Sequence, residues 1–255
     1  MGSISLASWD MLVLGASGLF VGMRRSGVQG GAVLAVVLLA SHFSAAASVG
    51  ITVVVFLLAD IQVTAILFPK VDWRLLGKLL GPTLLGLAVG VLFGSLIAGP
   101  LFEWVLFAII LSAYAGLLYQ RSGSTPEVER EAHPVLTLVA GFLSGFTSMV
   151  GNLASLFVAV YFAAIGSKKE KFIATSAWFF FTINLIKLPI HIWVWDTIRW
   201  DVVLTTLIII PVVSLGIWLG RVIVTRLEER GYWRFVLVVV GVGILHYFYG
   251  LVSGG

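Results

Sequence analysis

Apolar residues run along the chain in long segments at 9–23, 31–41, 45–68, 75–98, 101–119, 135–149, 152–165, 172–194, 202–224 and 233–250. Segments of this polarity read as helices surrounded by lipid. One clearly polar stretch, QRSGSTPEVEREAHP at 120–134, interrupts them and divides the chain almost in half. The division predicts a first transmembrane repeat over 1–120, a cytoplasmic linker over 121–134 and a second transmembrane repeat over 135–255. Internal duplication of this kind is the common plan of transporters.

The two halves align. GLFVG at 18–22 matches GFLSG at 141–145, VDW at 71–73 matches IRW at 198–200, and GVLFG at 90–94 matches GIWLG at 216–220, with offsets of 123, 127 and 126. Each half then holds five segments, of which the first two are short. At about 1.5 Å per residue, 11–15 residues reach roughly 17–23 Å, short of a hydrocarbon core about 30 Å thick. Each short pair is therefore one broken span or a re-entrant hairpin. Cationic side chains separate the two arrangements. With hairpins, Lys70, Arg74, Lys78, Arg121, Arg130, Lys168, Lys169, Lys171, Arg221, Arg226, Arg230 and Arg234 lie on one face, 12 residues against Arg199 alone on the other. With broken spans the same charges split 6 to 7. The positive-inside bias favours the hairpins. Five segments per half make the repeats inverted, giving six full spans, two re-entrant hairpins and both termini outside the cytoplasm.

Composition agrees: 60% of residues are hydrophobic and 11% charged, with mean hydropathy +1.08, where soluble domains are roughly 25% charged. The sequence predicts an all-α polytopic membrane protein. The first 23 residues lack a basic stretch and a small-residue cleavage site, so no signal peptide is expected. Absence of cysteine removes disulfides and thiolate chemistry. A net charge of +4 reflects basic loops and points to no nucleic acid. H-E-x-x-H, G-x-S-x-G and P-loop motifs do not occur, and the four histidines are scattered. The expectation is a protein that is not an enzyme, with no cofactor and no metal site.

Glycine-rich stretches near the start of each half, GLFVGMRRSGVQGG and GFLSGFTSMVGNLAS, precede small-residue patches, ASVGIT at 47–52 and IATSA at 173–177. The second patch leads into FFFTINLIKL at 179–188, and a basic VDWR loop follows the first half's long segment. In this order and duplicated, these motifs resemble the TauE/SafE family of sulfite and organosulfonate exporters over nearly the whole chain. The resemblance implies transport of sulfite, sulfoacetate or another small organosulfur or carboxylate anion, in the cytoplasmic membrane, by a monomer or homodimer.

Ionisable groups inside a membrane face a pathway or a partner. Lys187 lies three residues beyond Asn184 on one helix face, and both are candidate anion contacts. Arg24 and Gln29 sit at the first glycine-rich break. The helix starts near Gly30 and Gly31, and near Gly151 and Asn152, would offer free amides to an anion. Thr52, Thr175 and Ser176 would add hydroxyls, the competing reading being helix packing. Asp60, which aligns with Asn184 at an offset of 124, joins His191 and His42 as the candidate proton-coupling set. For Asp60 the alternative is an ion pair with a neighbouring arginine. The expected function is alternating-access export of a small anion. An anion channel and a non-transporting membrane assembly protein are the competing classes.

Overall fold

The computed structural model describes residues 8–28, 45–97, 133–150, 154–196 and 200–253, with single positions at 35, 38, 39, 42, 43, 104, 107, 108, 111, 114, 115, 118 and 198. Among them every regular element is helical: α1 Ser8–Arg25, α2 Ala45–Leu67, α3 Trp73–Ile97, α4 Pro134–Val150, α5 Ala154–Ala164, α6 Lys169–Pro189, α7 Trp200–Leu207, α8 Ile210–Thr225 and α9 Glu229–Ser253. A π-helical turn, Ile190–Val194, extends α6. Four stretches are long and apolar enough to cross a membrane: Gly50–Leu67, Trp73–Leu92, Lys169–Val194 and Arg230–Gly250. Large apolar side chains such as Leu12, Leu85, Leu92, Leu204, Val238 and Leu245 point outward, while Arg24, Arg25, Asp60 and Lys187 are buried. In water this arrangement would be unstable; in lipid, apolar side chains face their solvent and charges hide from it.

The sequence reading ran one segment over 202–224, and the structure breaks it. The amides of Ile208 and Ile209 turn back to the carbonyls of Thr205 and Thr206, closing α7 with tight i→i+3 bonds. Pro211, in the first turn of α8, has no N–H to continue the ladder. The 101–119 segment lies largely outside the described residues.

The chain forms two compact units, one of residues 1–71 and 177–228, the other of 72–176 and 229–255. Each draws helices from both sides of the polar linker. In the first unit α1 packs on α8; in the second, α4 packs on α3. Both pairs meet through glycines so closely that a Cβ would collide with backbone. A Cβ at Gly22 would strike the Val213 carbonyl and Ile217 amide, and one at Gly145 the Thr83 carbonyl and Leu87 amide. Gly220 faces Met23 and Ser26; Gly90 faces Phe146 and Met149. Adding 123 converts each α1 residue here into its α4 counterpart, and adding 130 converts each α3 residue into its α8 counterpart. The same interlock is built twice. It pairs Gly86 with Gly216 and Gly90 with Gly220, one helical turn away from the sequence alignment of Gly90 with Gly216.

The remaining core of the first unit gathers Leu14, Val21, Ile51, Val55, Ala59 and Ile217. In the second, Phe172 stacks near Phe162 and Trp233, and the Trp233 indole N–H donates to the Ser167 carbonyl at 2.9 Å. At the start of α3, Asp72 Oδ1 accepts from the Leu75 amide at 2.9 Å as an N-cap, and Oδ2 lies 2.8 Å from Lys171 Nζ. Burial raises this carboxyl's pKa, but the Lys171 ammonium and the Leu75 and Arg74 amides outweigh it and hold it below the ordinary carboxylate value.

Two predictions follow from this packing. Gly22→Leu should destabilise the protein by about 1–3 kcal/mol through overpacking. Gly15→Ala, in open space on the same helix, should stabilise it by roughly 0.5–1 kcal/mol. Unfolding in mixed micelles measures both, and equal effects would refute the close approach. For Asp72, a pKa lower in the folded than in the unfolded chain gives stabilisation fully present above the unfolded value of about 3.9 and lost as pH falls through the folded one. The difference in melting temperature between the native protein and Asp72→Asn should therefore shrink as pH is lowered below about 4.

Candidate functional site

The two arginines stand on the last turn of α1. The helix ends there because Gly27 takes φ 112°, open chiefly to glycine. The Gly27 amide then bonds the Arg24 carbonyl at 3.0 Å and the Val28 amide the Met23 carbonyl at 3.1 Å, a Schellman closure. Cations at a helix C-terminus are favoured by its dipole. That offsets only part of the cost of burying Arg24 and Arg25, which are 7% and 4% exposed.

Helices α2 and α6 enclose them. Thr52, Phe56 and Asp60 are spaced by four residues on α2; Ser176, Phe180 and Asn184 are spaced by four on α6. Spacing by four keeps each set on one helix face, and every member is its counterpart plus 124. The Arg24 guanidinium carbon lies 4.8 Å from the Phe180 ring centre and 5.5 Å from that of Phe56; for Arg25 the values are 4.9 and 4.8 Å. The rings supply cation–π attraction to both planar groups. Arg25 Nε is 2.8 Å from Asp60 Oδ1, an ion pair in which the N–H is not aligned on the oxygen. Asn184 Nδ2 donates to Asp60 Oδ2 at 2.7 Å. Arg24 Nη1 and Arg25 Nη1 and Nη2 have no hydrogen-bond partner among the described residues.

Lys187 is buried, 2% exposed, and near enough to Arg25 to feel its charge. His191, buried on the π-helical turn, meets the Trp195 ring edge-on at 5.0 Å and feels Lys187. Among the described residues, two guanidiniums thus face the carboxylate of Asp60, with the Lys187 amine near Arg25.

The structure gathers Arg24, Asp60, Asn184, Lys187 and His191 into the first unit. Thr52 is buried on α2, one turn before Phe56. Thr175 and Ser176 belong to the second unit, where Thr175 Oγ1 accepts from the Asp72 amide at 3.0 Å and Ser176 Oγ donates to the Ile173 carbonyl at 3.2 Å. His42 pairs with Asp10 at 2.7 Å. Gln29, Gly30, Gly31, Gly151 and Asn152 lie outside the described residues. Sequence reasoning gave an ion pair of Asp60 with a neighbouring arginine as its alternative, and the structure assigns that partner to Arg25; it missed Phe56 with Phe180 as the walls. The shared offset of 124 carried the signal for the aromatic pair.

Residues 14–247 match the family model described as sulfite exporter TauE/SafE. The chain belongs to the TauE/SafE family. No curated protein and no solved structure matches it. Membership makes it a multi-pass membrane protein of a transporter family, and the match contains every residue of the buried cluster. Within this TauE/SafE chain, Asp60→Leu should destabilise by about 3–5 kcal/mol because it strands the buried Arg25, whereas Arg25→Met, which leaves Asp60 the charge of Arg24, should cost less. The double substitution should recover most of the loss. Micellar unfolding of the four proteins decides it, with strictly additive losses counting against the ion pair.

Proposed function

We propose that the chain exports a small oxyanion, sulfite or an organosulfur or carboxylate acid, across the cytoplasmic membrane by alternating access. The observation that carries this reading is the buried pair of guanidiniums, whose N–H edges have no hydrogen-bond partner among the described residues beside the carboxylate of Asp60. Family membership supports the same substrate class.

In this mechanism Arg24 and Arg25 take the anion's oxygens edge-on, and Phe56 and Phe180 keep the guanidiniums flat. Asn184 orients Asp60, and Lys187 adds positive charge. Outward movement of an anion is favoured by an inside-negative potential, about 2.3 kcal/mol per charge per 100 mV. The twice-built glycine interlock supports two structural repeats, and inverted repeats are the usual frame for exposing one site alternately to the two faces. Asp60 and His191 are the groups through which proton coupling would run.

Purified protein in liposomes, loaded with sulfite or sulfoacetate, should show saturable efflux stimulated by the same anion on the far side. Arg24→Ala and Lys187→Ala should each reduce it by roughly 10–100-fold, the worth of a charged hydrogen bond. Non-saturating flux without counter-stimulation would establish a channel instead. Absence of any flux or binding would overturn the transport reading.

A further inference from the structure

We infer that Asp60 is an internal counter-anion, displaced from Arg25 by the transported oxyanion, so that Arg25 faces a negative group whether or not cargo is bound. The inference deepens the transport reading and rests on it.

The geometry of Arg25 is the starting point. Phe56 and Phe180 lie 4.8 and 4.9 Å from its guanidinium carbon. With aromatic rings alongside, the edges are the groups left to meet an anion. Asp60 stands at the Nε position, at 2.8 Å and out of line with the N–H, while Nη1 and Nη2 have no partner among the described residues. A guanidinium binds an oxyanion best through two parallel N–H bonds to two oxygens. The present pair falls short of that, so a forked oxyanion has more to gain from Arg25 than Asp60 has to lose.

Asp60 also has somewhere to remain. Its Oδ2 accepts from Asn184 Nδ2 at 2.7 Å. Oδ1 can therefore leave Arg25 while the carboxylate keeps one bond inside the protein. The two residues are repeat counterparts, yet one is charged and the other neutral. This crossing of α2 and α6 thus supplies one displaceable negative charge.

The same geometry defines the ligand class. An anion with two oxygens on one atom, such as sulfite, a sulfonate or a carboxylate, can replace Asp60 by forking. Chloride offers a single point and competes poorly. Asp60 thereby sets selectivity as well as compensating charge. Without it, two guanidiniums would stay uncompensated in the empty carrier, and the unloaded return step would fail.

The test uses the full chain, purified, with sodium sulfite and sodium chloride as probes in calorimetry, and liposomes for flux. Asp60→Asn should bind sulfite about tenfold or more tightly, since nothing competes for Arg25. It should also acquire measurable chloride binding, and exchange sulfite for sulfite while losing net export. Unchanged or weaker sulfite binding by Asp60→Asn would overturn the inference. Should that variant fail to fold, Asn184→Leu supplies the opposite arm. It leaves the charges in place but removes the bond that holds released Asp60, so sulfite should bind about tenfold more weakly. Unchanged or tighter binding there would equally refute displacement. Failure of the unmodified protein to bind any oxyanion would instead sink the transport reading itself.

Discussion

Two guanidiniums buried beside one carboxylate impose the constraint that organises the first unit. An arginine is permanently charged, and removing it from water costs several kcal/mol unless opposite charge and hydrogen bonds replace the solvent. Here the replacement comes from three directions. The C-terminal carbonyls of α1 offer partial negative charge, Phe56 and Phe180 offer ring faces, and Asp60 offers a formal charge. None of these satisfies Arg24 Nη1 or Arg25 Nη1 and Nη2. That unsatisfied remainder is what the proposed anion site rests on.

Holding that cluster in place requires backbone accuracy, and glycine supplies it. Helix α1 delivers the arginines at its last turn because Gly27 stops it there, and it is fixed along its length by the contact of Gly22 with the Val213–Ile217 backbone. Helices packed through glycine gain dispersion and backbone proximity in a solvent that gives no hydrophobic drive. The same interlock, Gly145 against Thr83–Leu87, holds α4 on α3 in the second unit. The last turn of α1 carries two arginines, whereas α4 carries no charged residue, so the same interlock is built with and without buried cations.

Much of this could be read from the sequence, and the exceptions have physical causes. Hydropathy revealed the membrane segments because lipid demands them. Asp60 and Asn184 could be matched at an offset of 124 because an intramembrane polar residue stands out against an apolar background. The pairing of GVLFG with GIWLG slipped by one turn because small residues every four positions look alike when moved by four; only the facing helix fixes the register. The break before Pro211 was hidden inside an uninterrupted apolar run. Thr175 accepts from the Asp72 amide, 103 residues away, a pairing no local pattern announces. Arg25 was harder still, since Arg24 and Arg25 are adjacent and equivalent in sequence. Only the folded last turn of α1 decides which of them reaches Asp60.

The two halves differ at the positions that correspond to the arginines. Adding 123 to Arg24 and Arg25 gives Thr147 and Ser148, both buried and both neutral. The Thr147 hydroxyl donates to the Leu143 carbonyl of its own helix at 2.6 Å. Had arginines recurred at this offset, the second unit would bury a pair of cations of its own. With Thr147 and Ser148 in their place, the second copy keeps the helix geometry without the charge. Asn184 opposite Asp60 follows the same logic at the helix crossing. Among the described residues, the buried charges Arg24, Arg25, Asp60 and Lys187 all belong to the first unit.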